Sequence, residues 1–324
     1  MTAIGERRPA AGTALLAVED LVRRHRVPRG VVHAVSGVSF ELDRGETLGL
    51  VGESGCGKST VARSVLHLPP PDSGSVRLDG RDLGRMRGAE LRRARGRLQA
   101  VFQDPVSALN PRRRVRDIVA EGLVIGGRRG ADTGDRVAAA LAGVGLDPAR
   151  TGGRRRHELS GGQCQRVAIA RAMVLEPDVL LCDEPVASLD VSVQAQVLNL
   201  LEDMKDRHGL AMLFISHDLA VVHNVADRVA VMYLGKIVEI GGVDEVYARP
   251  AHPYTRALLD AVPAPGPGGG TQPAALSGEV PSAMNPPSGC RFRTRCPLAE
   301  PECALTEPVL REPRPGRAVA CHLA

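Results

Sequence analysis

The stretch Gly52-Glu-Ser-Gly-Cys-Gly-Lys-Ser-Thr60 limits what this chain can fold into more than any other. Gly52, Gly57, Lys58 and Ser59 stand at the fixed positions of G-x-x-x-x-G-K-[ST], with Glu53, Ser54, Gly55 and Cys56 between them and Thr60 closing the turn. The apolar run 47–51 reads as a buried strand and 61–68 as a helix. Strand, glycine-rich turn and helix in that order are what a phosphate-binding loop needs. Glycines let successive N–H groups turn inward around a polyphosphate, and the helix N-terminus adds a favourable dipole. Lys58 is placed to reach the β- and γ-phosphates, and the Ser59 hydroxyl to hold Mg²⁺. The bland alternative is a glycine-rich turn that matches by chance.

At 324 residues the chain is long enough for a large core and for more than one subdomain. Its net charge is +5, a mild excess, and only three of its 42 basic residues are lysines. Arginine runs at 112–114 and 154–156 read as solvated turns rather than a nucleic-acid surface, so no nucleic-acid partner is expected. No apolar run approaches the roughly 18–20 residues of a membrane-spanning helix. Residues 1–14 lack the apolar core of a signal peptide and read as disordered. The expectation is a cytoplasmic chain that meets a membrane only through a partner. Seven cysteines in that setting argue against a disulfide framework.

Taken in order, 15–22 and 31–42 read as strands joined by a loop over 23–30, and 75–78 as a further strand. Residues 89–97 read as a short basic helix and 98–102 as a strand ending on Gln103. From 115 to about 145 the pattern is helical, broken at Gly126-Gly127 and at 132–134. Strands at 178–182 and 211–215 flank a helix at 193–208. The alternation from 46 to 217, interrupted by one helical insert, predicts an α/β fold. Its core is a parallel sheet covered by helices, with an antiparallel β-subdomain and an inserted helical subdomain at about 104–165. Residues 228–240 fold back as a hairpin, and 263–288 is a Pro/Gly-rich linker. The last segment, 289–324, is a Cys-rich extension too small for a core of its own.

Two further motifs bear on chemistry. Asp183, after an apolar strand, is placed to hold the water shell of Mg²⁺, and Glu184 to polarise an attacking water. Leu159-Ser-Gly-Gly-Gln163 opens a helix with glycines that permit close backbone approach, which makes a second anion site from Ser160, Gly161, Gly162 and Gln163. The economical reading is that this second site serves a nucleotide held by a facing subunit.

With these residues the chain resembles an ATP-binding cassette (ABC) ATPase over 15–262. Six elements fall in that family's order: the phosphate loop, Gln103, the signature 159–163, Asp183-Glu184, Asp190 in Ser188-Leu-Asp190, and His217 in Ser-His-Asp. The resemblance implies a P-loop NTPase fold and head-to-tail dimers with ATP between one subunit's phosphate loop and the other's signature. Gln103 would sense the γ-phosphate through Mg²⁺, Asp190 would communicate across the dimer, and His217 would contact the γ-phosphate. Glu184 would be the base, assisted by Lys58 and His217. His25 stands nearest to the aromatic position that stacks on adenine. Departures are Cys164 where Arg is usual after the signature, Val106 where an aromatic is common, and Arg155-Arg156 in place of Tyr-Pro.

Stretches at 107–111, 180–186, 231–239 and 252–258 resemble the ATPase subunits of oligopeptide and dipeptide importers, and nickel importers share much of the pattern. That resemblance implies two membrane-spanning permeases, a second ATPase subunit (a paralogue rather than an identical chain) and an extracellular substrate-binding protein. It implies a peripheral position on the cytoplasmic face of the inner membrane. The helical insert and the Gln103 loop would receive the permeases. Competing readings are a soluble ABC ATPase acting on DNA or ribosomes and a binding module without turnover. Against them stand one cassette, about 100 residues without heptads between Thr60 and Ser160, and an intact Glu184 and His217.

Cys290, Cys296, Cys303 and Cys321 cluster in the tail. Four free thiols, a Cys₄ Zn²⁺ site and a [4Fe–4S] cluster compete, and the resemblance favours the cluster. His322, beside Cys321, is a possible substitute ligand, and the reading goes against it. Cys56, Cys164 and Cys182 read as space-filling.

Overall fold

β1 (Leu16–Val27) and β2 (Gly30–Leu42) form a long antiparallel hairpin closed by the two residues Pro28 and Arg29. This is a computed structural model, and it describes residues 14–128, 130–261 and 278–324. The N-terminus expected to be disordered lies almost wholly outside the described residues, as does much of the expected linker. The predicted loop over 23–30 is instead mostly strand, with His25 opposite Val32 and Arg26 opposite Val31. These residues sit on a ribbon largely open to solvent, so nothing buries them periodically and the sequence carries no strand signal there. β3 (Thr47–Val51) leaves this layer, and β4 (Ser73–Leu78) and β5 (Arg81–Asp82) return to it in the order β2-β1-β4-β5.

The phosphate loop leads from β3 into α1 (Lys58–Val65), and α2 (Gly88–Arg97) leads into β6 (Leu98–Val101). The helical insert follows as α3 (Pro105–Ala108), α4 (Val115–Ile125), α5 (Thr133–Gly143), α6 (Pro148–Thr151) and α7 (Gly161–Met173). Next come β7 (Val179–Asp183), α8 (Val191–His208), β8 (Ala211–Ile215), α9 (Leu219–Val225), β9 (Arg228–Tyr233) and β10 (Lys236–Gly242). The chain closes with α10 (Val243–Ala248), α11 (Pro253–Asp260), α12 (Glu302–Leu305), β11 (Arg311–Arg314) and β12 (Arg317–Val319). The core sheet runs β11-β12-β10-β9-β3-β8-β7-β6 and is parallel from β9 to β6.

These parallel strands are buried on both faces, which is why they read as unbroken apolar runs. Val51, Cys182, Phe214 and Val231 point into one core, shared with the helical insert. Leu50, Leu181, Leu213, Ala230 and Met232 point into the other, beneath the antiparallel β-subdomain. The period-2 alternation of side chains thus joins three layers through one sheet.

The C-terminal segment is built onto the cassette's own sheet. β12 adds to the edge at β10, pairing Glu239 with Val319, and Ala320 N–H donates to Val238 O at 2.8 Å. Glu239 is fully buried and fully used. It accepts from Ala251 N at 3.0 Å, His252 N at 2.9 Å and Arg317 Nε at 3.1 Å. A short segment without a core of its own gains order by borrowing that of its neighbour.

Candidate functional site

Two phosphate-loop glycines are demanded by packing before any ligand is considered. A Cβ on Gly52 (φ +151°) would lie 2.1 Å from Met232 O, and one on Gly57 (φ +111°) 2.1 Å from Ala34 O. The loop is therefore wedged between β9 and β2, with its backbone held open toward the helix N-terminus of α1. Lys58 Nζ donates to Gly52 O at 2.8 Å and to Glu53 O at 3.1 Å, which curls the ammonium over the loop mouth. Burial pushes the Cys56 thiol up, so it fills space as a neutral group.

On the opposite wall, Ser59 Oγ donates to Asp183 Oδ1 at 2.9 Å. Asp183 is only 4% exposed. Its carboxyl is raised above the usual range, first by burial and further by the charge of Glu184, against the Ser59 hydrogen bond. A desolvated carboxylate beside a hydroxyl is a donor set suited to Mg²⁺. Glu184 takes a left-handed backbone (φ 49°), with its N–H donating to Ile215 O at 2.9 Å. That conformation is costly for a side chain of its size and turns the carboxylate out at the strand end. Gln103 Nε2 donates to one Glu184 oxygen at 2.9 Å, and His217 Nδ1 lies 3.2 Å from the other.

A cleft of about 570 Å³ brings together His25, the loop from Ser54 to Thr60, Gln103, Glu184 and His217. The signature is not among its lining residues. Ser160 caps α7, its hydroxyl accepting from Gln163 N at 3.3 Å while Gln163 Oε1 accepts from Ser160 N at 3.1 Å. Ser160 and Gly161 are exposed. A Cβ on Gly162 would sit 2.7 Å from Val193, so this glycine sets the approach of α7 to α8. Asp190 caps α8, accepting from Val193 N at 3.0 Å and Ser192 Oγ at 2.8 Å, bonds that hold its carboxyl below the usual range.

The groups that hold Glu53 of the loop were not legible in the sequence. Tyr254 Oη accepts from Glu53 N at 2.9 Å, and Arg295 forks onto the Glu53 carboxylate at 2.8 and 3.0 Å. Ala283 O accepts from His33 N at 2.9 Å, and Arg291 donates to Leu234 O. Ala283, His33 and Leu234 line the cleft. Tyr254 and Arg295 lie about 200 and 240 residues from the loop.

The expected four-thiolate site is corrected in part. Cys290 and Cys296 lie close enough to their fellow tail thiols to feel their charge, and Cys290 N donates to Cys303 O at 2.8 Å. Among the described residues, however, no three Cys, His, Asp or Glu side chains stand in a metal-holding arrangement. All four cysteines are free, and His322 instead meets Thr306 O at 3.0 Å. Strand pairing and local turns fix this tail, and they leave the thiols near one another without converging on a point.

Comparison with known proteins shows the family. Residues 35–187 match the model of the ABC transporter family, and residues 238–303 that of the oligopeptide/dipeptide transporter C-terminal region. The chain is 52% identical to a putative peptide import ATP-binding protein of Brucella ovis, over 95% of this chain and 98% of that protein. It is 52% identical to the oligopeptide transport ATP-binding protein OppF of Salmonella typhimurium, covering 91% and 89% respectively. Among solved structures it resembles the dimeric post-hydrolysis ATP-binding cassette MJ0796 bound to ADP and Pi, with TM-score 0.64 and 25% identity, over 70% of this chain and 98% of that one. It likewise resembles cbiO1 of Clostridium perfringens, part of the ABC transporter complex cbiONQ, with TM-score 0.64 and 32% identity over 73% and 91%.

Proposed function

This chain belongs to the ABC transporter family as an ATP-hydrolysing subunit, and we propose that it powers import of oligopeptides or dipeptides through a membrane permease complex. The observation that carries the hydrolytic part is Glu184, held between Gln103 and His217 at the mouth of the phosphate-loop cleft. The peptide substrate is supported by the names of the relatives and by the match of the tail region.

In this reading the loop amides from Gly52 to Thr60 and the Lys58 ammonium hold the β- and γ-phosphates of ATP. His25 offers an imidazole face to the adenine. Ser59, Asp183 and Gln103 would hold Mg²⁺, which supplies charge neutralisation at the phosphates when bound. Glu184 accepts a proton from water as the water oxygen bonds to the γ-phosphorus. The bond from that phosphorus to the β–γ bridging oxygen breaks, and ADP leaves with the electron pair. His217 steadies the charge on the γ-phosphoryl oxygens. The facing subunit's signature residues, equivalent to Ser160, Gly161, Gly162 and Gln163, close the far side. What supports a facing subunit is that Ser160 and Gly161 are exposed and lie outside the cleft of their own chain. Asp190, at the N-terminus of α8, would carry the state of one site to the other.

A larger cleft of about 850 Å³ lies on the helical insert, where Val124 and Ile125 expose apolar surface beside Arg116 and Val137. We assign it to the permeases. No helix among the described residues is long and apolar enough to cross a membrane, so anchoring at the cytoplasmic face would come from that contact. The second ATPase subunit is read as a paralogue. Purification of the tagged chain from membranes tests the assignment. Two integral-membrane proteins and peptide-stimulated ATP hydrolysis are expected, and recovery with ribosomes or DNA instead would overturn it.

The tail thiols enter as a further proposal, a [4Fe–4S] cluster (or Zn²⁺) that would draw Cys290, Cys296, Cys303 and Cys321 together. The 2.8 Å hydrogen bond from Cys290 N to Cys303 O, which sets two of the four side by side, supports it. Anaerobically purified protein should then be brown and contain iron. Colourless protein without iron or zinc would leave four free thiols.

A further inference from the structure

The C-terminal extension reaches the phosphate loop at Glu53, just outside the cleft lined by Ser54 to Thr60. Phe292 is 1% exposed and packs edge-on to Tyr233 with ring centroids 5.2 Å apart and against Tyr254 at 5.3 Å. This aromatic floor seats Arg295, whose guanidinium lies 5.9 Å from the Tyr233 ring centre. From there both terminal nitrogens meet both oxygens of Glu53, at 2.8 and 3.0 Å. The Arg295 side chain is 4% exposed and that of Glu53 23%. Glu53 is the first variable residue of the loop, and its carbonyl accepts from Lys58 Nζ at 3.1 Å. An unneutralised carboxylate at this position would repel the polyphosphate that the loop is built to hold. The chain just before the extension meets the cleft lining through Ala283 O on His33 N, and the extension itself meets it through Arg291 on Leu234 O.

We infer that Arg295 is a positioning residue of the nucleotide site, and that the extension acts through it by pinning and neutralising Glu53 so that the loop accepts ATP. A planar fork fits this task, since two parallel hydrogen bonds fix the direction of the carboxylate as well as its charge. The extension is thereby part of the ATP site rather than an appendage to it. This inference rests on the reading of residues 52–60 as an ATP site.

The test is a double-mutant cycle on the full-length chain, reading the KM for Mg-ATP, kcat and thermal midpoint of Arg295→Gln, Glu53→Gln and the double variant. Arg295→Gln should raise the KM on the order of tenfold with a smaller change in kcat, the scale of one unneutralised charge near the phosphates. In the Glu53→Gln background the same substitution should change the KM less than about twofold, because no charge is left to neutralise. An equal penalty in both backgrounds, or a lowered thermal midpoint with unchanged KM, overturns the inference. Should Arg295→Gln fail to fold, Arg295→Lys keeps the charge and loses the fork. A rise of roughly threefold or more in its KM supports the role, and an unchanged KM removes it. Lys58→Ala separates the two levels of the argument. If it binds ATP as tightly as the wild-type chain, the ATP reading itself has failed.

Discussion

His217 Nδ1 lies 3.2 Å from Oε1 of Glu184, while Oε2 of the same carboxylate accepts from Gln103 Nε2 at 2.9 Å. Two residues from distant parts of the chain therefore share the carboxylate of a third. The Glu184 backbone is held left-handed at φ 49°, which aims that carboxylate into the cleft. A group fixed this way needs little reorganisation to take a proton from water.

Glu184→Gln should keep ATP binding and lose roughly 10²–10⁴-fold in turnover, the usual share of a positioned general base. The neutral amide leaves the bonding to Gln103 and His217 largely in place. ATP should then hold a closed dimer, visible as a shift in gel filtration. Phosphate release within a factor of a few of the wild-type rate would remove Glu184 from the role.

Lys58→Ala takes away the ammonium bonded to Gly52 O and Glu53 O, the cation proposed to face the phosphates. ATP affinity should fall at least tenfold by equilibrium dialysis, since an amide-lined loop alone lacks the neutralising charge. Unchanged affinity would contradict the phosphate-loop assignment.

Asp183→Asn should stabilise the metal-free protein while abolishing Mg²⁺-dependent hydrolysis. The carboxyl is raised chiefly by burial. A raised acid contributes its stability below its unfolded pKa and loses it as pH rises through the folded value. The gain in melting temperature should therefore be larger at pH 8 than near pH 4. A melting temperature below wild type across that range would show that the site costs no stability.

His252 has the opposite sign. It is 1% exposed, and burial lowers it to about 4 from an ordinary value near 6.5. Its stabilising contribution is present above about pH 6.5 and is lost as pH falls toward 4, on the order of 3 kcal/mol in all. Nδ1 of His252 accepts from Tyr254 N at 3.0 Å, a cap that Asn can replace. His252→Asn should flatten the urea-unfolding stability between pH 6.5 and 4. A slope as steep as wild type would place the acid sensitivity elsewhere.

Ile125→Glu puts a charge on the exposed apolar edge of the helical insert, where Ile125 is 62% exposed. Folding and basal hydrolysis should be little changed, while co-purification with the permeases and substrate stimulation should fall several-fold. Full stimulation in this variant would move the permease contact to another surface.

The chemistry of the cleft was legible because each part is a contiguous motif. The loop from Gly52 to Thr60, the strand ending in Asp183-Glu184 and the cap at Ser160 each carry their geometry in neighbouring residues. The far end of the β1–β2 ribbon was not legible. His25 and Arg26 pair across it in the open, without the alternation that burial imposes.

The sequence by itself determined the cassette, its order of motifs and the residue types that could bind and cleave a nucleotide, because local backbone geometry and unbroken apolar strands encode them. Only the tertiary structure decided that Tyr254 and Arg295 hold Glu53, that the tail extends the core sheet through β12, and that the four tail thiols do not, among the described residues, form a ready metal site. Those contacts join residues far apart along the chain. No periodicity in the sequence records them, since they exist only once the two cores have brought the sheet together.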